Sequence, residues 1–277
     1  MLKYLLPWAV VVASATVAQA KCGDIGDACE VDEGAYLIAL PDGDIKGSIM
    51  FLHGFGGSGK GSVGQSWVKD ALARGYAVIG PDGTVRDTGR PARRWSFHPD
   101  WPAQRDEVAF LTSVRDDAAE RFDLDADKMV LGGFSIGGSM TSYLACAAPE
   151  AFDAYLPVSG GFWRPHPTEC VGPVRLLHTH GWTDTTVPLE GRVVRGEDIN
   201  DPNGFVQGDI FYTLGMWREV NECVQSRADR FVTKGPFMRR SWDRCAPESA
   251  LEFALFPGGH RVPKGWADLA LDWLENL

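Results

Sequence analysis

The sequence has no C-x-x-C pair and no H-x-x-x-H pair, two spacings that commonly hold zinc. An acidic run at 123–127 lacks the glycine and the distal glutamate of a calcium loop. Residues 54–60 match G-x-x-x-x-G-K, but Gly61 has no hydroxyl to hold the magnesium of a nucleotide site. No metal or organic cofactor is therefore expected. Basic residues are few: 27 Lys and Arg against 37 Asp and Glu, a formal net charge of −10. Such a surface repels phosphate backbones and anionic headgroups, so neither nucleic acid nor an anionic membrane is an expected partner. Long apolar runs are absent too. The one at 5–17 falls short of the about 20 residues that span a bilayer. No low-complexity linker divides the chain, which suits one large α/β domain.

That apolar run follows Lys3 and ends at Ala18-Gln19-Ala20, a small-x-small cleavage site. Residues 1–20 read as a secretory signal peptide, with residues 21–277 as a single catalytic domain and no membrane anchor after cleavage. All six cysteines lie in that domain. An even number in an exported chain reads as disulfides, and pairing 22–29, 146–170 and 223–245 closes the shortest loops. The expected location is outside the cytoplasm, extracellular or periplasmic.

The stretch that carries most chemistry is Gly133-Phe134-Ser135-Ile136-Gly137. An apolar run, Met129-Val130-Leu131, precedes it, and small and apolar residues at helical density follow. A serine between strand and helix, with glycine two residues away on either side, is a nucleophile elbow. The turn is too sharp for side chains at the two glycines, and the serine itself takes a strained conformation. Upstream, the strand at 47–53 runs into His53-Gly54-Phe55-Gly56, an H-G-x-G loop. Its Phe55 N–H and that of Ile136 are expected to form an oxyanion hole. His53 reads as a structural residue at the strand end rather than a base.

Residues 35–40 and 47–53 read as an antiparallel pair joined by the turn at Pro41, and 76–81 as a buried strand. The polar loop at 82–102 sits where ligands bind in open α/β sheets. Its aromatics either pack down on the core or face the substrate. Trp95 is the best candidate for a substrate contact, and Arg86, Arg90, Arg93 and Arg94 are candidates for a carboxylate. Residues 105–122 show apolar positions at helical spacing, and 207–222 read as a helix. Residues 223–250 read as irregular. His178 and His180 project from one strand face, but no third ligand accompanies them. Asp184 stands four residues past the end of that strand, with Trp182 expected to wall the cleft beside it. Asp198, Asp201 and Asp209 are weaker alternatives as the acid. His260 lies between the last strand and the last helix. Ser135, Asp184, His260 is thus a nucleophile, acid, base order.

Leu52-His53-Gly54, the run Arg105-Asp106-Glu107-Val108-Ala109-Phe110-Leu111, the elbow through Thr141, His180 to Pro188 and Gly258-Gly259-His260 occur in this order. Together they resemble the secreted esterases of the polyhydroxybutyrate depolymerase group, which includes feruloyl and acetylxylan esterases. The resemblance implies an α/β-hydrolase fold, a mostly parallel sheet flanked by helices on both faces. It implies hydrolysis of small, oligomeric or polymeric carboxylic esters through a Ser-His-Asp triad and an acyl-enzyme. Many polymer-degrading members carry a further binding module that has no counterpart here, which favours soluble or oligomeric esters. The competing expectations are a non-catalytic binding protein and a serine peptidase of the same fold.

Overall fold

The computed structural model describes residues 22–23, 26–86, 91–194, 196, 198–201 and 204–277. The expected signal peptide and Arg90 lie outside them. A ten-stranded sheet runs in the order Cys29–Val31, Gly34–Ala39, Tyr76–Pro81, Gly47–Leu52, Met129–Phe134, Tyr155–Val158, Arg175–Gly181, Ala250–Phe256, Phe237–Trp242, Arg230–Lys234. From Tyr76–Pro81 to Ala250–Phe256 every pairing is parallel. The outer strands at both ends are antiparallel.

Gly47–Leu52 is buried at every position, as a strand covered on both faces must be. Its side chains alternate between two cores. Ile49 and Phe51 meet helices Ser66–Ala73 and Trp266–Leu274. There the Trp67 and Trp266 rings stand 4.9 and 5.2 Å from Phe51. Met50 and Leu52 face the opposite core, with residues of helices Glu107–Phe122, Ile136–Ala147 and Ile210–Val220. The helix at 107–122 starts where Asp106 accepts from Ala109 N–H and stops at Asp123, whose φ of 54° is left-handed.

Arg105, just before that helix, ties the sheet edge to the 82–104 loop. Its buried guanidinium donates to Glu107 Oε2 (2.6 Å), Glu33 O (2.9 Å) and Asp82 O (3.2 Å), and lies 3.4 Å from the Phe110 ring centroid. Glu107 in turn accepts from Ser96 N–H at 3.0 Å. Burial pushes the Glu107 carboxyl up, against the opposing pull of Arg105.

The disulfides are Cys22–Cys29, Cys146–Cys170 and Cys223–Cys245. Three sequence expectations need correction. The strands Gly34–Ala39 and Gly47–Leu52 do not pair; Tyr76–Pro81 lies between them, antiparallel to the first and parallel to the second. The connection is long enough to step over one strand, about 10 Å, and Gly47–Leu52 and Tyr76–Pro81, both buried at every position, lie inside the partly exposed Gly34–Ala39. Residues 223–250 are not irregular throughout: Arg230–Lys234 and Phe237–Trp242 form a hairpin turning at Gly235, where φ is 58°. Exposed apolar residues and interspersed arginines had masked its alternation. The helix expected at 207–222 begins at Ile210, because Gln207 pairs in a short strand with Arg192 and Asp209 caps the helix.

The sheet sets up the site. Ser135, Asp184 and His260 all follow the carboxyl ends of parallel strands, Met129–Phe134, Arg175–Gly181 and Ala250–Phe256.

Candidate active site

Ser135 has φ 59° and ψ −121°, a conformation that non-glycine residues rarely adopt. The turn around it leaves no room for side chains. A Cβ on Gly133 would stand 2.3 Å from Gly137 O, and one on Gly137 would stand 2.4 Å from Leu52 O. The strain lifts Oγ off the sheet edge at the amino end of helix Ile136–Ala147.

Ser135 Oγ–H donates to His260 Nε2 at 2.9 Å, and His260 Nδ1–H donates to Asp184 Oδ2 at 2.7 Å. Phe134 packs against the imidazole at 4.6 Å between centroids. The Asp184 side chain is fully buried. Its other oxygen accepts from Thr186 N–H (2.9 Å) and Val187 N–H (2.8 Å). Burial by itself raises this carboxyl; the His260 and Val187 hydrogen bonds outweigh it and hold the group below its usual 3.8. Such a line can deprotonate a hydroxyl, store the proton on an imidazole and stabilise the resulting cation. Asp209 caps a helix instead, and Asp198 closes a local turn. The three residues that the sequence spaces 49 and 76 positions apart thus meet at one sheet edge.

The loop at 53–57 passes beside the serine: a Cβ on Gly54 would stand 3.3 Å from Ser135 Cβ. His53 is buried and holds this loop. Gly83 N–H donates to its Nε2 at 3.0 Å, so Nδ1 carries the proton and donates to Gly54 O at 2.7 Å. Gly57 N–H donates to the same carbonyl at 3.0 Å. With the carbonyl so held, the peptide plane is fixed and the trans Phe55 N–H points the opposite way from the His53 ring. Burial lowers the His53 pKa, consistent with a neutral anchor.

Phe55 and Ile136 line a cavity of about 400 Å³ with Trp95, Phe97, Trp101, Trp163, Phe205 and the polar Arg94, Ser96 and Gln104. Trp95 is only 2 % exposed and donates from Nε1 to His53 O, so it contributes a wall rather than a mobile contact. The sequence had not singled out Trp163 or Phe205. Trp163 follows the Tyr155–Val158 strand through Gly160-Gly161, the kind of position that had drawn attention to Asp184. Arg94 stands over the Phe55 ring at 5.2 Å, whereas Arg93 pairs with Asp82.

Trp182 does not line this cavity. It is 60 % exposed and borders a separate groove with Phe231, Met238, Leu255 and Pro257. His178 and His180 hydrogen-bond to each other at 3.0 Å rather than presenting free ligand nitrogens side by side. Among the described residues, no group of three His, Cys, Asp or Glu side chains is placed to hold a metal. Likewise, no helix among them is long and apolar enough to cross a membrane.

A profile of the alpha/beta hydrolase fold matches residues 47–254. The chain is 28% identical over 189 residues to feruloyl esterase C of Emericella nidulans, covering 63% of this chain and 64% of that protein. It is 29% identical to feruloyl esterase B of Piromyces equi, over 61% of this chain and 31% of that one. The chain thus spans less than two thirds of the length of the curated relatives it matches. Among solved structures, the acetyl xylan esterase from Aspergillus awamori superposes with a TM-score of 0.63 at 16% identity, covering 88% of this chain and 95% of that one.

Proposed function

Since the chain belongs to the alpha/beta hydrolase fold family, we propose that it is a serine carboxylic-ester hydrolase that cleaves aromatic-acyl esters, the hydroxycinnamoyl (feruloyl) class foremost. The observation that carries the reading is the unbroken line Ser135 Oγ, His260 Nε2 and Nδ1, Asp184 Oδ2 at 2.9 and 2.7 Å.

In this mechanism His260 takes the Ser135 proton as Oγ attacks the ester carbonyl. Asp184 holds the imidazole tautomer and steadies the imidazolium. The Phe55 and Ile136 N–H groups receive the negative charge that develops on the carbonyl oxygen. His260 returns the proton to the leaving alcohol, and the acyl group stays on Ser135. Water then enters, gives a proton to His260 and releases the acid by the same steps reversed.

The aromatic lining of the cavity beside Ile136 favours a planar aryl acyl group over acetyl or hydroxyalkanoate groups. The names of the curated relatives point the same way. The three disulfides, with the leader-like residues 1–20, support export from the cytoplasm.

The test is a panel of methyl ferulate, acetylated xylan and 3-hydroxybutyrate oligomers. The expected kcat/KM for methyl ferulate exceeds the others by about tenfold or more, the scale of seating one ring in an apolar pocket. Phe205→Ala is expected to raise KM for methyl ferulate about tenfold, with a smaller change for p-nitrophenyl acetate, whose acyl group is too short to reach the ring. Preference for an acetyl ester, or equal changes on both substrates, would reject the aryl assignment.

A further inference from the structure

Two histidines that the mechanism does not use are buried behind the Asp184 loop. His178 and His180 are both 0 % exposed on strand Arg175–Gly181. Their ring planes are 20° apart with centroids separated by 5.3 Å, and Phe253 meets His178 in an edge contact at 5.6 Å. Their proton positions follow from their partners. Among the described residues, the only group facing His180 Nε2 at hydrogen-bond distance is Val187 O, at 2.8 Å. A carbonyl accepts, so Nε2 carries the proton. His180 Nδ1 is then a bare acceptor in the neutral ring, and His178 Nε2, 3.0 Å away, must donate to it. That leaves His178 Nδ1 bare, and it has no hydrogen-bond partner among the described residues.

Each ring thus holds one proton, and the arrangement resists a second. On His180 it would go to Nδ1, where the His178 N–H already points. On His178 it would go to an enclosed nitrogen with nothing to accept from it. The ionisable groups that bear on His180 are His178 on its own strand, Asp184 on the following loop and His260 on the loop after the last strand.

The position matters because His180 Nε2 lies 3.7 Å from Asp184 Oδ2, the oxygen that accepts the hydrogen bond from His260 Nδ1–H. Val187 is clamped between them: its N–H donates to Asp184 Oδ1 and its carbonyl accepts from His180. A charged His180 would draw on the same carboxylate oxygen and oppose a positive charge on His260.

We propose that His178 and His180 form a proton lock, in which His180 positions the Asp184 turn through Val187 and His178 keeps His180 neutral, so that Asp184 serves one charged imidazole, that of His260. The proposal rests on the reading of Asp184 as the triad acid. Burial lowers the pKa of both rings, in the same sense.

Two measurements test it. In Ser135→Ala protein, which needs no activity, imidazole ¹⁵N NMR is expected to find both rings neutral and protonated at Nε2 from pH 8 to about pH 5, well below where a free imidazole titrates. In the active enzyme, His178→Phe keeps a ring but removes the donor to His180 Nδ1, which opens that nitrogen to a proton. The acid limb of log(kcat/KM) is expected to move to higher pH by about one unit, with a slope that stays near one proton because a charge on either imidazole opposes the second. His178→Gln, whose amide can donate to the same nitrogen, is expected to return the limb to its wild-type place. A limb unmoved by His178→Phe, or an Nδ1-protonated His180 in the spectra, overturns the lock. If His178→Phe fails to fold, the NMR result decides. If the wild type hydrolyses no ester, the reading of the site fails while the NMR result still decides the lock.

Discussion

Ser135→Ala is expected to lower kcat on methyl ferulate by about 10⁵- to 10⁶-fold while leaving the fold and KM nearly unchanged. Removing the nucleophile of a comparable triad elsewhere costs about 2 × 10⁶ in kcat. Residual turnover of about 10³–10⁴ over water would come from oxyanion donors and substrate positioning alone. Alanine fits here without a clash because it is smaller than serine, and the strained φ of 59° is imposed by the strand and helix on either side. Circular dichroism and the thermal midpoint should match wild type. Loss of less than about 100-fold would show that hydrolysis does not run through this oxygen.

Asp184→Asn is expected to cost about 10⁴-fold in kcat, by a route that the hydrogen bonds define. Thr186 and Val187 both donate N–H groups to Asp184 Oδ1. In the variant the amide oxygen must accept these two, which turns the NH₂ towards His260 Nδ1. That nitrogen must then accept, so the imidazole proton moves to Nε2, where it faces Ser135 and can no longer take the serine proton. A neutral amide also leaves the imidazolium without its counter-charge. The magnitude is that of the same substitution in a well-studied serine protease. Steady-state kinetics measure it, and imidazole NMR would show the tautomer change. The same carboxylate carries a pH dependence. Its folded pKa lies below the ordinary 3.8, so its contribution to stability is complete above that value and is lost as the pH falls through the depressed one. The variant should therefore lose part of the acid destabilisation expected of the wild type below about pH 4.

The elbow was legible in the sequence because its pattern is local: Gly133 must clear Gly137 O at 2.3 Å within the same turn, whereas the need for glycine at 137 also comes from Leu52 O of the neighbouring strand, at 2.4 Å. The disulfide pairs were legible because each closes a short loop, with separations of 7, 24 and 22 residues. What depended on the third dimension was not. The pairing of Gly34–Ala39 with Tyr76–Pro81 depends on a strand that comes later in the chain and inserts between the first two, and the turn at Pro41 says nothing of that. The hairpin of Arg230–Lys234 and Phe237–Trp242 was hidden because Phe231, Val232 and Met238 face solvent at a sheet edge, so no alternation of apolar and polar residues marks it. Trp182 follows its strand as Asp184 does, but its side chain leans towards that hairpin and leaves the cavity to Trp163 and Phe205. The anchoring role of His53 is visible only once Gly83, 30 residues away, meets its ring.

The most direct test of the central claim is covalent trapping with an alkyl fluorophosphonate, followed by peptide mass spectrometry. An Oγ activated by His260 is expected to displace fluoride and keep the phosphonyl group, with its oxygen towards the proposed Phe55 and Ile136 N–H donors. The expected result is one phosphonyl group per chain, on Ser135, and none in Ser135→Ala or His260→Ala protein. A folded wild-type protein that takes up no label, or takes it on another residue, would contradict the account.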